Sequence, residues 1–256
     1  MNMEIKKTVK AGNSSAVILP RAWLNQEVRV ELVKKSQETI LFETINIAKK
    51  YMELKDAIGI YLAGSYARGE ESKDSDIDIL IISNNIDKEM VHEGIYNVLI
   101  ISEELLNQKL KQDLFPIGQM IKEAKPLINS SYLNSIDIIV TKKNVKWYID
   151  TTNKKLKLLK NLIKKSDEKV NNRIIYTLIL RIRTLHIIQK LINNENYSKE
   201  DFISLIEKIS SRNSYESYLE VKNELKETNK ITKKEAEELY NYLEKQLESV
   251  KKVLKY

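Results

Sequence analysis

"GSYARGEESKDSDIDIL", residues 64 to 80, reads as a glycine-serine turn, a polar loop and a strand that begins with two aspartates one residue apart. Side chains alternate across a strand, so Asp76 and Asp78 project to one face while Ile77 and Ile79 enter a core on the other. Two carboxylates on one face lie close enough to share a hard divalent cation. Mg²⁺ fits, because it takes oxygen ligands and keeps positions open for substrate phosphates. Two such ions would activate an attacking hydroxyl and neutralise a triphosphate as it breaks. Gly64 and Ser65 supply the complement: glycine lets the backbone approach a phosphate closely, and the Ser65 hydroxyl with the N–H groups of a following helix start can hold its oxygens. The stretch predicts a cation site and a phosphate site side by side.

Outward from this stretch, residues 43 to 140 alternate helical and strand patterns. "TINIAKKYMELKDA" (44–57) predicts a helix, "IGIYLAG" (58–64) and "DIDILIIS" (76–83) strands, "KEMVHEGI" (88–95) a helix, "YNVLIIS" (96–102) a strand, and "EELLNQKLKQ" (103–112) a helix ending before "LFP". Residues 1 to 42 predict strands, since "VILP" (17–20) and "VRVELV" (28–33) are β-branched runs separated by "RAWLNQE". Beyond residue 144 there is neither glycine nor proline, and long apolar periodicities predict helix throughout. Ser198 with Asp201 and Thr232 with Glu235 have the spacing of capping boxes. The expected fold class is α+β: a small N-terminal β domain over 1–42, a central mixed sheet with helices over 43–140, and an all-α bundle over 141–256.

Composition narrows the chemistry. With 42% hydrophobic residues over 256 positions the chain can build packed cores. The absence of cysteine excludes disulfides, thiolate zinc sites and a cysteine nucleophile, and two histidines, His92 and His186, exclude a histidine-rich metal site. The start "MNMEIKKTVK" lacks an apolar signal core, and no later run reaches the roughly 18 apolar residues of a membrane span, so a cytoplasmic protein without membrane partners is expected. The formal charge is +7. Its excess is concentrated between Lys142 and Lys165, where nine lysines face the single acid Asp150. With Leu156, Leu159, Leu162 and Ile163 at helical spacing, this segment reads as a solvated helix face or as an electrostatic platform for nucleic acid or nucleotide.

Gly64-Ser65, ten residues, then Asp76-x-Asp78 resembles the G-S-x10-D-x-D signature of the DNA polymerase β nucleotidyltransferase superfamily, and Ala67-Arg68-Gly69 and Ser75 are similar to its small prokaryotic members. The resemblance spans about residues 43 to 140. It implies transfer of a nucleoside monophosphate from an NTP, ATP foremost, to a hydroxyl or phosphate acceptor, with release of pyrophosphate. It implies two Mg²⁺ ions, Asp76 and Asp78 as metal ligands and catalytic residues, and Gly64, Ser65, Arg68 and Ser75 at the nucleotide. Family members usually carry a third carboxylate on the next core strand, where this chain has Asn97. An amide binds Mg²⁺ more weakly and cannot act as a base. Glu93 and Asp137 are the substitutes at hand. The alternative is therefore a transferase fold that binds nucleotide or a partner without efficient turnover.

"TVKAGNSSAVILPRAWLNQEVRVELV" (8–33) resembles the swapped-hairpin DNA-binding domains of the AbrB and MazE kind, with Gly12-Asn13-Ser14 at a bend and Pro20 closing a strand. That resemblance implies a homodimer whose Lys6, Lys7, Lys10 and Arg21 face duplex DNA, with Asn13 near the bend. Some 40 residues cannot bury a sufficient core alone, which independently favours a dimer. The combination fits a DNA-binding regulator or antitoxin of a toxin–antitoxin pair, with a protein partner. The helical remainder resembles the bundles that shape the acceptor site of small nucleotidyltransferases. Within it Arg181 and His186 have an R-x4-H spacing similar to that of HEPN helical ribonucleases, although beside Ile179, Ile182 and Leu185 the histidine also reads as structural.

Overall fold

The computed structural model describes residues 4, 6, 8–30, 34–72, 75–226, 228 and 230–256. The chain divides into two compact units, residues 1–43 and 44–256. In the first unit, β1 (Val9–Ala11) and β2 (Ser14–Ala16) form an antiparallel hairpin around Gly12, whose φ of 61° supplies the turn. A short 3₁₀ turn follows at Arg21–Trp23. The strands expected at 17–20 and 28–33 are not there: residues 17–20 and 28–30 are irregular, and 31–33 lie outside the described residues. The chain enters Pro20 in extended conformation without a ladder partner, because proline has no N–H to donate. Helix α1 (Gln37–Ala48) begins and ends earlier than the apolar pattern suggested.

The second unit is organised on a five-stranded mixed sheet in the order β5-β6-β4-β3-β7. Its strands are β3 (Ala57–Ala63), β4 (Ile77–Ser83), β5 (Lys88–Glu93), β6 (Tyr96–Ser102) and β7 (Lys125–Ile128). β4 runs parallel to β6, and every other pair is antiparallel. Ile77, Ile79 and Ile81 are fully buried on one face of β4. Leu80 and Ile82 join Tyr61 and Ala63 on the other, under α3 (Glu103–Gln112) and α4 (Ile117–Glu123). The short α2 (Gly64–Arg68) follows β3 directly, and α5 (Ser130–Asn134) follows β7.

Residues 88–93, expected as helix, form the edge strand β5. The reason is the two-residue turn behind it: Glu93 pairs with Tyr96 across Gly94 and Ile95, and Gly94 takes a φ of 61°. That left-handed position folds the segment back along "YNVLIIS" as a hairpin, and the long-range ladder overrides a weak local helical pattern.

Beyond the sheet come α6 (Lys146–Lys165), α7 (Asn172–Ile192), α8 (Lys199–Ile209), α9 (Arg212–Lys222) and α10 (Lys233–Val253). α7 is the central helix, with Ile175, Leu178, Ile179, Ile182 and Leu185 all fully buried. Leu114, between α3 and α4, belongs to this same core and ties the bundle to the sheet layer. Ser198 accepts the Asp201 N–H, and at Thr232 both halves of the capping box are present. Among the described residues no helix is long and apolar enough to cross a membrane. Thr232→Ala removes one half of the box and should cost about 1 kcal/mol, read as a lower urea midpoint with unchanged m.

Candidate active site

One row of residues crosses the sheet at the carboxyl end of β3. His92 pairs with Asn97, Asn97 with Asp78, and Asp78 with Ala63, the last residue of β3. Cross-strand partners share a face, so these side chains converge. Asn97 Nδ2 donates to Asp78 Oδ1 at 3.2 Å, and Asn97 Oδ1 lies 2.7 Å from His92 Nδ1. A carboxylate only accepts, so the amide must turn its NH₂ to Asp78, and His92 must donate from Nδ1. Asn97 is thus held from both sides and holds Asp78 in turn.

Asp78 is half-buried and Asp76 exposed. Burial pushes the Asp78 carboxyl above the ordinary range; Asp76 adds to the shift by like-charge repulsion, while the Asn97 hydrogen bond and Arg68 oppose it. A cation between the two would relieve both causes. Among the described residues no three His, Cys, Asp or Glu side chains gather around one point. The donor set is two hard carboxylates, which suits Mg²⁺ completed by substrate oxygens.

Gly64 opens α2 with a φ of 66°, and a Cβ built there would lie 2.1 Å from Asp78 Oδ2. The glycine is required twice, for the left-handed backbone and for the room the carboxylate occupies. The Gly64 N–H donates to Glu123 Oε1 at 2.9 Å, and Glu123 Oε2 pairs with Arg68 Nη1. Arg68 Nε donates to Glu70 at 2.7 Å. Burial works against the Arg68 charge, but Glu70 and Glu123 outweigh it and hold the guanidinium above its usual value. Glu123, at the end of α4, is therefore the clamp that fixes the start of α2.

Behind Arg68 stands a wall of tyrosines and cations from the bundle. The Arg68 and Arg183 guanidiniums lie 5.5 and 5.4 Å from the Tyr197 ring centre. Arg183 Nε donates to the Tyr197 hydroxyl at 3.3 Å, and no carboxylate lies within salt-bridge distance of Arg183 among the described residues. Lys222 is pushed down by burial and then by Arg183 and Lys199. The Lys199 backbone N–H donates to Glu70 at 2.8 Å, which joins this wall to the loop after α2. Arg183 is half-buried, whereas Lys199 and Lys222 are exposed, so the cations stand along the solvent edge of this wall.

Of the residues expected at the nucleotide, Gly64 and Arg68 are drawn together with Asp78, and Arg68 is engaged by two acids. The Ser75 Oγ accepts the Ser72 N–H at 2.8 Å and shapes the loop before β4. Glu93 is held by Lys50 at 2.9 Å and Tyr51 at 3.0 Å, and Asp137 is exposed in the segment after α5. Arg181 donates to Thr151 on α6, whereas His186 packs against Tyr197 and Phe202, so the two do not form a shared site. Glu123, His92 and Arg183 went unread: each gains its role through a contact outside its own segment.

The nucleotidyltransferase domain model matches residues 45–254, most of the chain. The chain belongs to the nucleotidyltransferase domain family. The match runs from the end of α1 to the end of α10, so both the sheet and the bundle are parts of the nucleotidyltransferase. No curated protein sequence matches. Among solved structures, a nucleotidyltransferase-like protein from Exiguobacterium sibiricum 255-15 is 12% identical with a TM-score of 0.37, covering 82% of this chain and 75% of that one. Spectinomycin adenyltransferase AAD(9) from Enterococcus faecialis, solved with ATP and spectinomycin, is 16% identical with a TM-score of 0.39, covering 81% of this chain and 99% of that one.

Gly64→Ala should displace the Asp78 carboxylate and strain the turn. Titrating ATP in the presence of Mg²⁺ should then show binding weakened at least tenfold in a protein that remains folded by circular dichroism.

Proposed function

We propose that this nucleotidyltransferase moves a nucleoside monophosphate from an NTP, ATP foremost, to a hydroxyl or phosphate acceptor in a Mg²⁺-dependent reaction. The observation that carries the reading is the placement of Asp78, set between the bare Cα of Gly64 and the Asn97 amide, with its carboxyl raised by burial and then by Asp76. Asp76 and Asp78 would hold the ion, which supplies charge neutralisation and lowers the pKa of an attacking hydroxyl. Ser65 and the Arg183, Lys199 and Lys222 wall face the remaining phosphates. An acceptor oxygen bonds to the α-phosphorus, the bond from that phosphorus to its bridging oxygen breaks, pyrophosphate leaves with the electron pair, and the proton of a hydroxyl acceptor passes to solvent water. Asn97 orients Asp78 but cannot take the acceptor's proton. That limits the rate and keeps nucleotide binding with slow turnover as the weaker form of the same reading.

Purified protein with α-labelled ATP and Mg²⁺ should release pyrophosphate, and Asp76→Asn or Asp78→Asn should abolish release without loss of fold. The reading fails if Asp78→Asn transfers label as well as the parent. Asn97→Asp adds a carboxylate beside Asp78 and should raise the rate by about tenfold or more. The acid limb should lie above the ordinary Asp value of about 3.9, because the raised Asp78 carboxyl ionises late. The sign for stability is opposite: a raised acid favours the fold while protonated, and that contribution falls as pH rises through the window up to its folded value. At neutral pH, Mg²⁺ with a non-hydrolysable ATP analogue should therefore raise the melting temperature, and Asp78→Asn should remove the rise.

A second reading concerns the N-terminal unit, and exposed apolar residues favour it. Ile18, Leu24, Val28 and Val30 are exposed in a unit too small to bury a core alone. We infer a homodimer through this unit that contacts duplex DNA by Lys10, Asn13 and Arg21. Lys6 is paired with Glu4 at 3.1 Å, and Lys7 lies outside the described residues. This reading makes the chain a DNA-binding regulator or antitoxin. Lys10→Glu with Arg21→Glu should abolish duplex binding in a gel-shift assay while light scattering still reports a dimer. Unchanged duplex binding would remove this assignment.

A further inference from the structure

Helix α6 takes no part in the site above. Its inward stripe of Ile149, Thr152, Leu156, Leu159 and Ile163 is buried. The opposite arc carries Trp147, Lys154, Leu158, Asn161 and Lys165, which fall within about 60° of one another at 3.6 residues per turn. Trp147 is 62% exposed and Leu158 51%, so this arc presents apolar surface to solvent between its lysines. Lys146 is paired with Asp150 at 2.5 Å, but Lys154, Lys155, Lys157, Lys164 and Lys165 have no carboxylate within salt-bridge distance among the described residues.

The tryptophan is fixed in place. Its ring meets Tyr148 edge-on at 4.9 Å, and the Arg181 guanidinium lies 6.0 Å from its centre. Arg181 in turn donates to the Thr151 hydroxyl at 3.0 Å. An oriented aromatic surface at one end of a lysine-covered helix thus stays open to solvent.

We propose that this face of α6 binds single-stranded nucleic acid, with the lysines on phosphates and Trp147 stacked on a base. The proposal is independent of the transferase reading. Charge complementarity selects a polyanion, since the lysines have no acids of their own to face. The arrangement of the arc selects among polyanions. A helix that lies on an anionic membrane segregates its lysines from a continuous apolar face. Here Lys154 and Lys165 occupy the same arc as Trp147 and Leu158. Charge alternating with apolar surface matches a strand in which phosphates alternate with bases. A duplex hides its base faces, so an exposed ring gains its stacking only on a single strand.

The test uses the full chain carrying Lys10→Glu and Arg21→Glu, which removes the two cations assigned above to duplex DNA, and a fluorescein-labelled single-stranded oligonucleotide of mixed sequence. Anisotropy should report binding that weakens with salt. Lys154→Glu/Lys157→Glu/Lys165→Glu should weaken it at least tenfold and flatten the log–log salt slope by about 2, at roughly 0.7 per phosphate contact. Trp147→Ala should weaken binding by about 5- to 150-fold without changing the slope. With Trp23→Phe, which leaves Trp147 as the remaining tryptophan, the oligonucleotide should quench the emission. The altered lysines are exposed, and circular dichroism checks that each variant is folded. Unchanged binding by the folded triple variant overturns the proposal. So does duplex binding as tight as single-strand binding and indifferent to Trp147→Ala. Binding to phosphatidylserine vesicles without binding to the oligonucleotide also overturns it.

Discussion

The Asp78 carboxylate reaches its position because residue 64 has no Cβ. That single missing atom lets the start of β4 and the start of α2 approach to a distance no other residue type would allow. Much of the site depends on this approach being kept. Glu123 keeps it, by accepting the Gly64 N–H with one oxygen and Arg68 with the other. On the far side Asn97 keeps it, with its amide fixed by His92. The glycine, the clamp and the amide are on different elements, and the sheet register aligns them.

Two unbalanced charge groups result. The exposed Asp76 repels the half-buried Asp78, and Arg183 and Lys199 repel Lys222 in the bundle wall. Asp78 and Arg183 are half-buried while Asp76, Lys199 and Lys222 reach solvent, which screens part of this repulsion. Arg68, between the two groups in contact with Tyr197, is satisfied by its own two acids. The nucleotidyltransferase match extends from sheet to bundle, in keeping with a site assembled from both.

The sequence by itself determined the parts that depend on near neighbours. Strands at 57–63, 77–83 and 96–102 follow from period-two alternation and continuous apolar runs, and α3 follows from its own apolar spacing. Asp76 and Asp78, the turn at Gly64 and the box at Thr232 are legible because each acts within a few residues. "KEMVHEGI" misled because its helical spacing is local, while the ladder that makes it β5 is formed with a strand across a turn.

Tertiary structure alone decided what faces those residues. Gly64 meets Glu123 across 59 positions, and the Lys199 N–H meets Glu70 across 129. No pattern in either segment announces such a partner. The register that sets Asn97 beside Asp78 comes from burying Ile79, Ile81, Val98 and Ile100 together, and that burial is a non-directional force summed over the whole sheet. Apolar packing brings distant elements together, and the polar groups carried on them acquire their partners, and their chemistry, only as a consequence.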